Sequence, residues 1–90
     1  MLVMTCRNHV KDYAAWHKTF ASHREAHRRA GLFLRSLGRD IDRPNQIYFV
    51  FDVQSVEQAK GFIEDPENAR IGAETVIDGE YHFIEVSADY

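Results

Sequence analysis

The sequence predicts one α+β domain in which helices cover one face of a four-stranded antiparallel sheet. Three observations carry that prediction. Residues 46–53 alternate, with Ile47, Phe49, Phe51 and Val53 on one side and Tyr48, Val50 and Asp52 on the other, the period of two that a strand imposes. Tyr13, Trp16, Phe20, His23, His27 and Ala30 recur every three or four residues, the stripe of an amphipathic helix. Strand and helix patterns then follow one another as β-α-β-β-α-β across residues 1–90, the split arrangement of a ferredoxin-like fold.

Residues 2–8 (Leu-Val-Met-Thr-Cys-Arg-Asn) read as a strand of apolar and β-branched side chains. Asp12 is placed to cap a helix that runs to Ala30, and Gly31 follows as the residue that best accepts the left-handed backbone at a helix end. Lys18, Glu25, Arg28 and Arg29 fall off the apolar stripe, and the late arginines suit the negative end of the helix dipole. Residues 32–39 form a second strand with a bulge expected at Gly38. The stretch Asp40-Ile-Asp-Arg-Pro-Asn45 is a turn by its composition. Beyond strand 46–53, Ser55 caps a further helix, with Gln58 at the capping-box spacing and Ala59, Phe62 and Ile63 as its apolar face. Pro66 breaks this helix, and a short one covers residues 67–75. Asp78-Gly79 is expected to turn the chain into a last strand over residues 81–87.

At 44% apolar, 28% charged and 12% aromatic, the composition is globular and excludes a disordered chain. No apolar run approaches the roughly 18 residues of a spanning helix. No basic-apolar-small leader precedes residue 20. The expectation is a cytoplasmic protein without a membrane partner. Cys6 is the sole cysteine, which excludes an internal disulfide and a multi-cysteine zinc site. The net charge of −3 hides an asymmetry: from Arg7 to Arg43 there are nine of the eleven lysines and arginines against four acids. A net acidic chain is poorly suited to neutralising phosphates, so no nucleic acid is expected. The two halves are placed to balance each other's surfaces, and the basic half also offers a patch for an anionic ligand.

The helices can cover only one sheet face. Yet Tyr48 and Val50 stand opposite the Ile/Phe set of the third strand, and Ile84 and Val86 stand opposite Tyr81 and Phe83. Apolar residues on both faces require a second cover. A second copy of the sheet supplies it, because closed twofold dimers are the commonest oligomers. A homodimer with two sheets packed face to face is the expectation.

Val10-Lys-Asp-Tyr-Ala-Ala-Trp16, Phe20-Ala-Ser-His23, Gly31, Asp42-Arg-Pro-Asn45 and Ala59-Lys-Gly-Phe62 followed by Pro66 together resemble the dimeric α/β-barrel superfamily. That superfamily includes antibiotic-biosynthesis monooxygenases, small polyketide cyclases and many uncharacterised bacterial proteins. The resemblance spans essentially the whole chain and implies the ferredoxin-like fold and the dimer; it is weak for function, since one fold hosts many activities. Haem-degrading members place an Asn near the end of the first strand, where Asn8 stands, and need a Trp and a His on the second helical segment. Residues 55–75 hold neither, which argues against haem degradation. Members resembling olivetolic acid cyclase carry a His shortly after a Pro in that region. Here the stretch is Asp65-Pro-Glu-Asn68, so Asn68 stands where that His would, and the acid/base mechanism does not carry over unchanged.

His23 and His27 lie one turn apart on the face that bears Tyr13, Trp16 and Phe20, so both imidazoles are directed at the sheet. An imidazole in an apolar pocket serves as a general base near neutral pH. His23 is the expected catalytic base, and Tyr13, Trp16, Phe20, His27 and His82 are the expected ligand-binding residues. His82 alternates with Ile84 and Val86, which directs it to the pocket or to the dimer interface. A histidine pair alone is not a metal site, since zinc and iron want three or four ligands; neither metal nor cofactor is expected. Cys6 reads as a small core residue, and His9 and His17 as exposed residues of a loop and a helix. Two classes of function remain. One is a cofactor-independent monooxygenase or cyclase acting on a small aromatic or polyketide-like molecule. The other is a non-catalytic small-ligand-binding or accessory dimerisation protein whose stripe only fills the core. A cavity of roughly several hundred Å³ under the helix favours the first, and closed packing there favours the second.

Overall fold

In the computed structural model, which describes residues 1–88, the sheet order is β2-β3-β1-β4. The strands are β1 (Leu2–Val10), β2 (Leu32–Arg39), β3 (Gln46–Val53) and β4 (Val76–Glu85). Every neighbouring pair is antiparallel. Strands β1 and β3 are central and carry the densest apolar sequence. Ile47, Met4 and Phe51 are among the buried core residues.

The helices lie on the sheet face that carries Met4, Cys6, Asn8 and Val10 of β1. Register continues this face across the sheet, with Cys6 opposite Phe49 and Tyr81, and Met4 opposite Phe51 and Phe83. Between β1 and β2 run α1 (Tyr13–Ser22) and α2 (Arg24–Arg29); between β3 and β4 run α3 (Val56–Glu64) and α4 (Pro66–Thr75). Asp12 caps α1 by accepting from the Ala15 N–H at 2.9 Å. Ser55 caps α3 through the Gln58 N–H at 3.1 Å. Asp65 caps α4 through the N–H groups of Glu67 and Asn68, with Pro66 at the first helical position. Gly31 takes φ +74°, the left-handed conformation expected after α2.

The structure corrects four boundaries. The first helix is two helices, broken at His23, whose own side chain competes for a helical acceptor. The bulge in β2 falls between Leu34 and Ser36, while Gly38 pairs regularly with Tyr48. β1 runs on to Val10, so His9 is a strand residue, paired with Asp78 at 3.4 Å. Finally, Asp78-Gly79 is no turn: β4 begins at Val76, continues through both residues and ends at Glu85. The glycine is needed for a different reason. Gly79 pairs with Asn8, and a Cβ there would come within 2.5 Å of Asn8 Oδ1 and 3.0 Å of the Arg7 carbonyl oxygen.

Among the described residues no helix lies over the opposite sheet face. Phe33, Tyr48 and Ile84 are exposed there, around a polar centre in which Arg7 holds Asp78 and Glu80 at 3.1 Å each. Among the described residues no helix is long and apolar enough to cross a membrane.

Candidate functional site

Between the helices and the sheet lies a cavity of about 430 Å³. Its floor is Met4, Cys6 and Asn8 of β1, Phe49 and Phe51 of β3, and Tyr81 of β4. Trp16, Phe20, His23 and His27 form one wall; Phe62, Ile63 and Asn68 belong to the other. The sequence explains the hollow. The small residues Ala69, Gly72 and Ala73 of α4 also line it, so that helix projects little volume towards the floor.

The aromatic lining is continuous. Trp16 stacks on Phe20 with centroids 4.7 Å apart, and Phe20 meets Phe49 edge-on at 5.2 Å. His27 sits within this set, 5.0 Å from Phe20 and 5.2 Å from each of Phe51 and Phe62. Burial, aided by the nearby His23, pushes its pKa down from 6.5 to about 4, so His27 is a neutral imidazole at physiological pH.

His23 is held differently. Its Nδ1 lies 2.8 Å from the carbonyl oxygen of Thr19. A carbonyl only accepts, so Nδ1 carries a proton, and in the neutral form of the ring the lone pair lies on Nε2. The same contact explains the helix break. In a continuous helix the Thr19 carbonyl would receive the His23 backbone N–H. Here it receives the imidazole and, at 2.6 Å, the Ser22 hydroxyl, and the His23 N–H moves to Phe20 O at 3.1 Å. Side-chain donors have displaced a helical bond.

Of the expected residues, the cavity brings together Trp16, Phe20, His23 and His27, and leaves out two. Tyr13 packs against Trp16 at 6.1 Å under the Arg39 guanidinium, 3.8 Å from its ring centre, and does not line the cavity. It stands a full turn before Trp16, where the cation of β2 covers it. His82 belongs to the opposite face of the sheet, since it pairs with Thr5 rather than Cys6. Its side chain is mostly exposed, 3.7 Å from Glu80. The alternation placed it with Ile84 correctly, but that face is the one without helices.

Several polar residues enter the lining that were not among the expected ligand contacts, Asn8 and Asn68 among them. Asn8 was readable from period two, being a polar side chain in the inward row Met4, Cys6, Asn8, Val10. Asn68 donates from its amide to Phe62 O at 3.0 Å, which joins α4 to the end of α3. Cys6 lies on the floor with its thiol pushed up to about 12 by burial, so it is protonated and no nucleophile. Among the described residues no group of three His, Cys, Asp or Glu is placed to hold a metal ion.

The fold is a ferredoxin-like α+β domain, shared with solved structures named as antibiotic biosynthesis monooxygenases. A crystal structure from Bordetella bronchiseptica, provisionally named as such a monooxygenase, superposes with TM-score 0.79 at 18% identity, covering 97% of each chain. SnoaB, a cofactor-independent oxygenase from Streptomyces nogalater solved as a point variant, gives TM-score 0.75 at 14% identity over 98% of this chain and 94% of its own. An uncharacterised NIPSNAP domain protein from Burkholderia xenovorans gives 0.70 at 14% identity, covering 98% and 96%. No family model matches the sequence, and no curated protein matches it. At these identities the likeness establishes the fold.

Proposed function

We propose that the protein is a cofactor-independent monooxygenase that takes a small neutral aromatic molecule into the helix–sheet cavity. The observation that carries this reading is His23: an imidazole tied at Nδ1 to Thr19 O, with its Nε2 lone pair available, on the wall of an aromatic cavity of about 430 Å³. That volume suits a compact polycyclic substrate. Among the described residues no lysine or arginine lines the cavity, which favours a neutral substrate over an anionic one. The likeness to a protein named as a cofactor-independent oxygenase supports the same class of reaction.

In the proposed reaction, His23 Nε2 removes a proton from an activated methylene, leaving an electron-rich carbanion. Dioxygen takes an electron from it, and recombination at carbon gives a peroxide. The second methylene proton passes to the outer peroxide oxygen as the O–O bond breaks, and the imidazolium gives its proton to the hydroxide so formed. The balance is one CH₂ and one O₂ in, one C=O and one H₂O out. His27, neutral and enclosed by rings, orients the substrate with Trp16 and Phe20. Asn8 offers its amide to the developing oxyanion.

The exposed Phe33, Tyr48 and Ile84 support a homodimer formed through the uncovered sheet face. Its charges are already paired across β1 and β4, which lowers the cost of covering them.

Oxygen uptake with dithranol, an anthrone, tests the reading. The wild type is expected to consume oxygen and form the quinone with no added cofactor. His23→Ala is expected to lose ~10²–10⁴ of the rate, the usual contribution of a general base. Tight dithranol binding with no oxygen uptake would instead make the protein a non-catalytic ligand carrier.

A further inference from the structure

On the other flank of the same helical pair lies a groove of about 530 Å³ between α1–α2 and β2. His17, Ala21, Arg24 and Arg28 line its helical wall. His17 and Ala21 stand one turn apart on α1, and Arg24 and Arg28 one turn apart on α2, so each pair shares one helix face. Leu32, Leu34 and Leu37 belong to the floor, and Leu34 is 48% exposed although it lies on the helix side of the sheet.

The charge of this lining has one sign. It holds the two guanidiniums of Arg24 and Arg28, and among the described residues no Asp or Glu contributes. Arg7, Arg35 and Arg70 each hold a carboxylate, and Arg39 a carbonyl oxygen. Arg24 and Arg28 make no such contact among the described residues. They stand one helical turn apart on the exposed side of α2.

We propose that this groove is a binding site for a small aromatic carboxylate, its anionic end held by Arg24 and Arg28 and its ring laid on Leu34 and Leu37. A guanidinium matches a carboxylate with two parallel N–H donors, and an uncovered leucine floor takes the apolar body. The groove therefore differs in chemistry from the cavity, whose lining among the described residues holds no lysine or arginine. The two spaces share Phe20, His27 and Phe51, so an occupant of the groove lies against His27. The site stands on the groove's own lining and does not depend on the oxygenase reading.

Titration with naphthoate and with the matched neutral naphthamide tests it. The wild type is expected to prefer the acid by about tenfold or more, with the preference shrinking as salt screens the arginines. NMR signals of the His27 ring are expected to move while those of His82 stay. The double variant R24Q/R28Q is expected to lose the preference and to keep the wild-type melting temperature, since both side chains project from the surface. Equal binding of acid and amide, no binding of either, or a preference retained in R24Q/R28Q would overturn the site. Were that variant unfolded, a wild-type preference unchanged by salt, or unmoved His27 signals, would overturn it equally.

Discussion

His23 donates its Nδ1 proton to the carbonyl oxygen of Thr19 across 2.8 Å, and this one contact sets both the backbone and the chemistry of the site. It diverts the His23 N–H to Phe20 and ends α1 at Ser22. It also leaves the lone pair of the neutral ring on the outer nitrogen. A histidine at this position is thus a structural element of the helix break and the candidate base at once.

Removing that imidazole should cost function far more than stability. In His23→Ala the Thr19 carbonyl regains a backbone donor, so the lost side-chain bond is partly replaced. The expected change in unfolding free energy is within about 1 kcal/mol, against a large loss of oxygen uptake. A loss of about 3 kcal/mol with unchanged uptake would mark His23 as a core residue only.

His27 predicts a pH dependence of stability. The unfolded chain protonates this imidazole near its ordinary 6.5, whereas the folded chain does so only near 4. Unfolded molecules therefore bind more protons across that interval, and stability rises with pH. The contribution is complete above 6.5 and is lost as pH falls towards 4. Because His27 keeps some solvent contact, the expected size is about 1–2 kcal/mol. His27→Phe keeps the aromatic contacts and cannot titrate. Denaturant melts at several pH values should show a shallower acid slope in that variant; equal slopes would assign the acid sensitivity elsewhere.

Gly79 and Asn8 should behave as a coupled pair. A Cβ at position 79 would stand 2.5 Å from Asn8 Oδ1, so Gly79→Ala is expected to destabilise by about 1–3 kcal/mol, as overpacking does. Asn8→Ala removes the side-chain obstacle while the Arg7 carbonyl remains. The double variant should accordingly recover part of the loss, with a coupling of about 0.5–3 kcal/mol in a double-mutant cycle. Strict additivity would contradict the close approach.

The proposed dimer gives a sharper outcome. Val50 lies on the uncovered face between Thr5 and Ser36. Val50→Lys would bury an unpaired charge in a sheet-to-sheet interface at a cost of about 3–5 kcal/mol. Sedimentation at low micromolar concentration should find a wild-type dimer and a folded monomeric variant. A stable wild-type monomer would remove the face-to-face arrangement.

Much of this architecture was legible in the sequence because period and punctuation agree. The alternation of residues 46–53, the caps at Asp12 and Ser55, and Gly31 after the helix each point to the element that forms. Two of the differences share a cause: a local signal is outweighed by a contact distant in sequence or by a side chain's own hydrogen bond. Asp78-Gly79 reads as a turn, yet the glycine answers to Asn8 on the neighbouring strand. The stripe through His23 reads as one helix, and the imidazole breaks it. His82 was placed with the correct strand neighbours, but period two does not say which face the helices choose. Tyr13 shows a related limit. Helical spacing gave its direction towards the sheet, not how far along the helix the cavity extends.

The central claim is that His23 holds its proton on Nδ1 and presents Nε2 to a ligand in the cavity. Nitrogen NMR of the imidazole rings, recorded with and without naphthol, measures this directly. The free protein should show His23 as the Nδ1–H tautomer. On adding naphthol, the Nε2 signal should shift strongly as it accepts a hydrogen bond, together with signals of Asn8 and Phe62. An Nε2–H tautomer, or a ligand that shifts Tyr48 and His82 and leaves His23 unmoved, would contradict the account.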